Sequence, residues 1–248
     1  MTPPPRQPQG PALVYWHESC FTVVVRKQLL VVLGALLALL TGGAQAATFL
    51  TIAGIGSNMV DGNPGGNPLS NIIQGAGIGF DAAEPHNRIG GVWYTDAPGG
   101  FPSDYINVRT GPEHLWFDLG TDVTLTEISY WGYSTGNANG MREFNIRFAT
   151  DAEGGAIGLG DEAYGSSIVL NPSFVAIQDT LPRQSFSFDP VSARYVQVEA
   201  TSTFFNQPGA GAGGDRLGIG EIAFEAIPEP SSALLAFLGV ALLGRRKR

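Results

Sequence analysis

The sequence predicts an all-β protein, an antiparallel sandwich of two layers, and three observations carry that prediction. Between Thr48 and Ala226, short β-rich runs alternate with clusters of Gly, Pro, Asn and Asp, the punctuation of strands and turns. No apolar stretch at helical spacing lasts longer than a turn or two. The 248 residues include 34 Gly and 17 Pro with only 15% charged, which suits a loop-rich β architecture with one core rather than a large multidomain enzyme.

Taken from the N-terminus, residues 1–25 are Pro-rich, carry Glu18 and Cys20, and are too long for a signal-peptide n-region, so they read as an extension from a start codon placed too early. Arg26 and Lys27, the apolar run 28–40 and Ala44-Gln45-Ala46 then give a basic n-region, an h-region and an A-x-A cleavage site. Residues 26–46 are thus expected to be a secretory signal peptide cut after Ala46, with Ala44 and Ala46 as processing residues. The apolar run, about 12 to 15 residues, is too short to span a bilayer.

The body, 47–226, is expected to fold from strands at 114–119, 124–133, 143–149, 184–188, 193–199 and 219–225. Phe144, Ile146 and Phe148 alternate and should share one buried face. Trp116 and Trp131 sit inside strands and are expected in the core. After the body, 227–248 holds Pro228-Glu229-Pro230, an apolar helix of at most about 15 residues, and the basic run 245–248, which stays cytoplasmic by the positive-inside rule. Motif, helix and basic tail together resemble the PEP-CTERM sorting domain of Gram-negative bacteria. That resemblance implies transient anchoring in the inner membrane by a short transmembrane helix. It also implies recognition at Pro228, Glu229 and Pro230 by an exosortase-type protease, after signal peptidase has acted at the other end, and release to the surface or extracellular matrix.

The body carries twenty acidic residues against seven Arg and no Lys, about −13, while the whole chain is −8. Such a surface repels phosphate backbones, and nucleic acid is excluded as a partner. The single cysteine, Cys20, precedes the body, which excludes a thiol nucleophile, a disulfide framework and a thiolate metal site there. His86 and His114 are the only histidines of the body and no Gly-x-Ser-x-Gly occurs, so no enzyme is expected. The run 209–214 formally fits G-x-G-x-x-G, but no amphipathic helix follows it, and it reads as a loop.

Leu115-Trp-Phe-Asp-Leu-Gly120, the Ile-Ser-Tyr-Trp strand ending at Trp131, Phe144-Asn-Ile-Arg-Phe-Ala-Thr-Asp151, Ala193-Arg-Tyr-Val-Gln-Val198 and Gly220-Glu-Ile-Ala-Phe224 follow in the order of a discoidin, or coagulation factor 5/8 type C, domain. The body resembles that family over nearly its whole length and departs from it at Gln74, where an Asp is usual. The resemblance implies a galactose-binding-like jelly-roll β-sandwich used as a non-catalytic module, often for glycans, sometimes with structural calcium. Loop 75–84 offers backbone carbonyls with Asp81 and Glu84 as hard ligands, and the resemblance implies that Glu221 closes the calcium site against it. Aromatics placed in loops are the candidates for stacking on sugar: Trp93 and Tyr94 in one connection, Phe204 and Phe205 with Asn206 in another, and Tyr105 and Tyr133 elsewhere. The expected function is non-catalytic binding of extracellular carbohydrate or another matrix polymer. The alternatives are a structural matrix or biofilm component without a small ligand and, more weakly, a glycoside-active enzyme.

Overall fold

The computed structural model describes residues 48–73, 91–134, 136–170 and 183–227. The processing residues Ala44, Ala46, Pro228, Glu229 and Pro230 lie outside the described residues, as do Asp81 and Glu84. Among the described residues no helix is long and apolar enough to cross a membrane.

The described chain forms β1 (Thr48–Phe49), β2 (Gly54–Ser57), β3 (Trp93–Tyr94), α1 (Tyr105–Val108), β4 (Glu113–Trp131), β5 (Met141–Ala149), β6 (Ser166–Leu170), β7 (Gln184–Thr203), β8 (Gly218–Ile219) and β9 (Glu221–Ala226). Every ladder between these strands is antiparallel. β4 and β7 are 19 and 20 residues long, so each joins two runs that the sequence separates. The reason is a shared corner. Asp118 opposes Tyr195 and the next pair is Val123 with Ala193, so both strands turn together and stay paired. Gly120, with φ +83, permits the bend. Arg194 clasps it, donating to Asp118 at 2.9 and 3.2 Å and to Asp151 at 2.8 Å.

Before the corner, β4 lies between β2 and the end of β7, which continues to β5 and β6; after it, β4 lies between β9 and the start of β7. The two halves are the two layers of a sandwich, because their inner faces meet. Phe117 is edge-on to Phe224 at 5.2 Å and Phe144 to Phe186 at 5.8 Å, while Phe148 tilts on Phe188 at 5.3 Å, each pair drawing one ring from each half. Phe144, Ile146 and Phe148 are buried on one face as the alternation requires. In the second layer a bulge between Leu125 and Glu127 changes the parity, so that Leu125, Ile128 and Tyr130 all point inward.

The outer faces are covered too. Residues 151–165 cross the outside of the first layer as a strap, where Leu159 accepts from Trp116 Nε1 at 3.1 Å and Gln197 Nε2 at 3.4 Å. Gly56 makes room for it, since a Cβ there would lie 2.3 Å from Ile157 Cγ2. Trp116 is therefore buried beneath the strap, beside Ala149 and Tyr164, rather than between the layers. Trp131 is buried on the outside of the second layer with Ala223 and Phe49.

Candidate functional site

At the end of the sandwich where β4 finishes, β3 pairs with β8 and the connections 132–140 and 204–217 are locked together. Asn139 is the fastener. Its Oδ1 accepts from the backbone N–H of Gly214 and, at 3.4 Å, of Arg216, and its carbonyl accepts from Gly218 N at 2.7 Å. Ala138 N donates to Ala212 O at 3.0 Å. The glycine run 209–214 is thus a loop, as the sequence suggests, and one fixed by specific backbone contacts.

Three of the aromatics expected to stack on sugar, Trp93, Tyr105 and Phe204, are core residues instead, Tyr105 being fully buried at the start of α1. β3 points Trp93 inward and Tyr94 outward, leaving Trp93 only 1% exposed. Phe204 is drawn in because its N–H reaches the carbonyls of Ala138 and Gly140, and its ring joins the same core. None of the three can offer a face to a ligand. Phe205 is half-buried, its ring lying where a Cβ on Gly214 would be 2.4 Å away, and Asn206 is exposed with φ +56.

Tyr94 has a different setting. Its ring makes an edge contact with Tyr133 at 6.0 Å, and the Arg216 guanidinium lies 5.3 Å above its centroid. One Arg216 nitrogen donates to Thr95 O at 3.0 Å, and Asp215 Oδ2 lies 3.9 Å from Nε. Both Tyr rings are half-buried, and the Arg216 side chain is 33% exposed. Burial raises the Tyr133 hydroxyl above its ordinary pKa of 10, with Tyr94 pushing the same way, so it remains a neutral donor. The group offers what a polyol needs: apolar ring surface, a planar fork of donors held in place, and a carboxylate acceptor. The sequence marks Tyr94 and Tyr133 but misses Asp215 and Arg216 as their partners, because these follow the glycine run and reach Tyr94 only through the β3–β8 pair.

A second cluster lies under the strap, where the sequence suggests no site. His114 and Glu199 are directly opposed on β4 and β7, and Asp161 is brought over them by the strap. The ligand atoms of these three residues all lie within 4.8 Å of one another. Arg147 donates to Asp161 at 3.2 Å, Glu199 at 3.0 Å and Gln197 at 3.0 Å. An open cleft of about 460 Å³ runs past His114 and Asp161, with Asn58, Trp116, Leu159 and Glu162 on its walls. Glu221, expected to close a calcium site, is fully buried opposite Trp131 on the outside of the second layer. Among the described residues Glu221 belongs to no group of three or more His, Cys, Asp or Glu side chains that could share an ion.

No family model and no curated protein matches the chain. Solved structures do. A family 32 carbohydrate-binding module from C. perfringens NanJ, in complex with galactose, is 15% identical with a TM-score of 0.45, covering 72% of this chain and 98% of that one. A fucose-binding module from Streptococcus pneumoniae is 14% identical with a TM-score of 0.45, covering 74% and 98%. A family 32 module from Clostridium perfringens, in complex with GalNAc-β-1,3-galactose, is 12% identical with a TM-score of 0.45, covering 72% and 100%. These are likenesses of chain path at low identity, and what each binds is a property of that module.

Proposed function

We propose that the protein is a non-catalytic carbohydrate-binding module, and that Tyr94, Tyr133, Asp215 and Arg216 form its ligand site. The observation that carries this reading is the placement of Arg216, stacked on Tyr94 and tied to Thr95 O while still one-third exposed. A guanidinium fixed in this way loses little freedom on binding, and its remaining N–H groups have no hydrogen-bond partner among the described residues. Vicinal hydroxyls of a sugar fit that fork, Asp215 accepts a hydroxyl proton, and the exposed part of the Tyr133 ring takes the apolar face. Phe205 and Asn206, carried by the same locked loop, extend the surface. The ends of the sequence support export: the signal-like 26–46 and the sorting-like 227–248 together describe a protein delivered to the surface or matrix.

The test is binding of the purified chain to a panel of immobilised glycans, followed by titration of the best ligand. Arg216→Ala should weaken binding at least about tenfold, a hot-spot loss, with the melting temperature nearly unchanged because the side chain lies at the rim. A wild-type chain that retains no glycan would instead favour the structural matrix component.

A further inference from the structure

Beyond that reading, we propose that His114, Asp161 and Glu199 form a binding site for a divalent transition-metal ion of the zinc type, between the outer face of the first layer and the strap. His114 is 4% exposed and lines the cleft, and its Nε2 is buried without a hydrogen bond. Asp161 Oδ1 is 3.2 Å from Nε2 but not aligned as a hydrogen-bond acceptor. Two ligands of one ion at roughly 2.0–2.2 Å sit about 3.0–3.5 Å apart, so this is the separation that a shared cation sets.

The third ligand is in register. Glu199 stands opposite His114 across the β4–β7 ladder, where paired side chains lie close, and Asn145 Nδ2 orients its Oε2 from 3.0 Å away. That contact is the kind of outer support that fixes a metal-binding carboxylate. A neutral imidazole binds metal through a ring-nitrogen lone pair, and the buried His114 Nε2, with no hydrogen bond of its own, is the atom available for it. An imidazole nitrogen with two carboxylates suits a borderline ion such as zinc better than calcium, which takes oxygen ligands. The cleft leaves room for water at the remaining position.

Arg147 supplies the positive charge that the carboxylates need when no ion is present. A metal must displace it from both Asp161 and Glu199, and Gln197 remains as its partner. The competition keeps the affinity modest. Asp161, on the strap and 45% exposed, is the ligand free to adjust.

The experiment uses the untagged full chain, stripped with chelator, titrated with zinc by calorimetry and with cobalt by visible absorption. One zinc per chain and cobalt d–d bands are expected. Asp161→Asn, a substitution at an exposed position that leaves the fold intact, should weaken both by tenfold or more, and His114→Ala should remove the cobalt bands. No zinc uptake by the wild-type chain overturns the proposal, as does equal uptake by the wild-type and Asp161→Asn chains. Glycan binding is measured in parallel; its loss or retention bears on the Arg216 site alone.

Discussion

At the scale of single residues, burial separates the aromatics that hold the fold from those that can meet a ligand. Trp93 and Tyr94 are neighbours in sequence, flanked by Gly90-Gly91 on one side and Pro98-Gly99-Gly100 on the other, and nothing in that pattern says which one turns inward. The answer lies in β8, which is more than a hundred residues away and sets the alternation of β3. Trp93→Ala should therefore cost about 3–5 kcal/mol, the range for emptying a large aromatic from a core, measured by urea unfolding. A loss below about 1 kcal/mol would contradict the burial. Acid stability has its own residue. Hydrogen bonds from Arg194 hold the Asp118 carboxyl below its ordinary pKa of 3.8, in spite of partial burial and with help from the Gly120 N–H. A depressed folded pKa means that the unfolded chain binds the proton more readily. The stability from this pair is complete above about 3.8 and drains away as the pH falls through the lower, folded value. Asp118→Asn should flatten that acid limb in pH-dependent melting, and an unchanged slope below pH 4 would count against the clasp.

Among elements, strands with strict alternation were readable and their joints were not. The run at Phe144, Ile146 and Phe148 announces β5, because a strand with one buried face must repeat every two residues. Gly120-Thr-Asp122 and Asp189-Pro190 look like ends of strands, yet they are the corner where β4 and β7 pass from one layer to the other. Turn chemistry is the same whether a strand stops or bends, so the sequence cannot tell them apart. The short strands β2 and β6 lack a long alternating pattern, and the strap reads only as a loop; its contact with His114 arises from the cross-strand register, which sequence does not carry. The locked loop end makes a sharper prediction. Gly211 has φ +73, and a Cβ there would lie 1.8 Å from the carbonyl oxygen of Gly136. Gly211→Ala must lift connection 204–217 from 136–138 and disturb the seat of Arg216. Glycan binding should fall at least about tenfold while the two layers keep their circular-dichroism signature, and undiminished affinity would show that the loop does not position the site.

Over the whole molecule the deciding quantity is charge. All six described arginines, Arg109, Arg142, Arg147, Arg183, Arg194 and Arg216, lie within 4.0 Å of a carboxylate. With twenty acids against seven arginines in the body, most of the remaining carboxylates have no cation to meet. Two effects of added salt then compete. Screening weakens the ion pairs, but most of these are 3.2 Å or shorter with the arginine side chain a third exposed or less, where counter-ions reach poorly. Screening also relieves repulsion among the surplus acids, which acts through solvent over distances comparable to the Debye length, about 30 Å at 0.01 M and about 8 Å at 0.15 M. The second effect involves more charges and the more easily screened interactions, so it should win. In chelator-treated potassium chloride, with divalent ions excluded so that no specific site contributes, the melting temperature of the body should rise between 0.01 and 0.15 M salt, values chosen from those two screening lengths. Replacing Asp122 and Glu162, both exposed, by Asn and Gln should shrink that rise by removing part of the surplus. A melting temperature that falls with salt would mean that the arginine clasps, the Arg194 corner foremost, dominate the electrostatics of the fold.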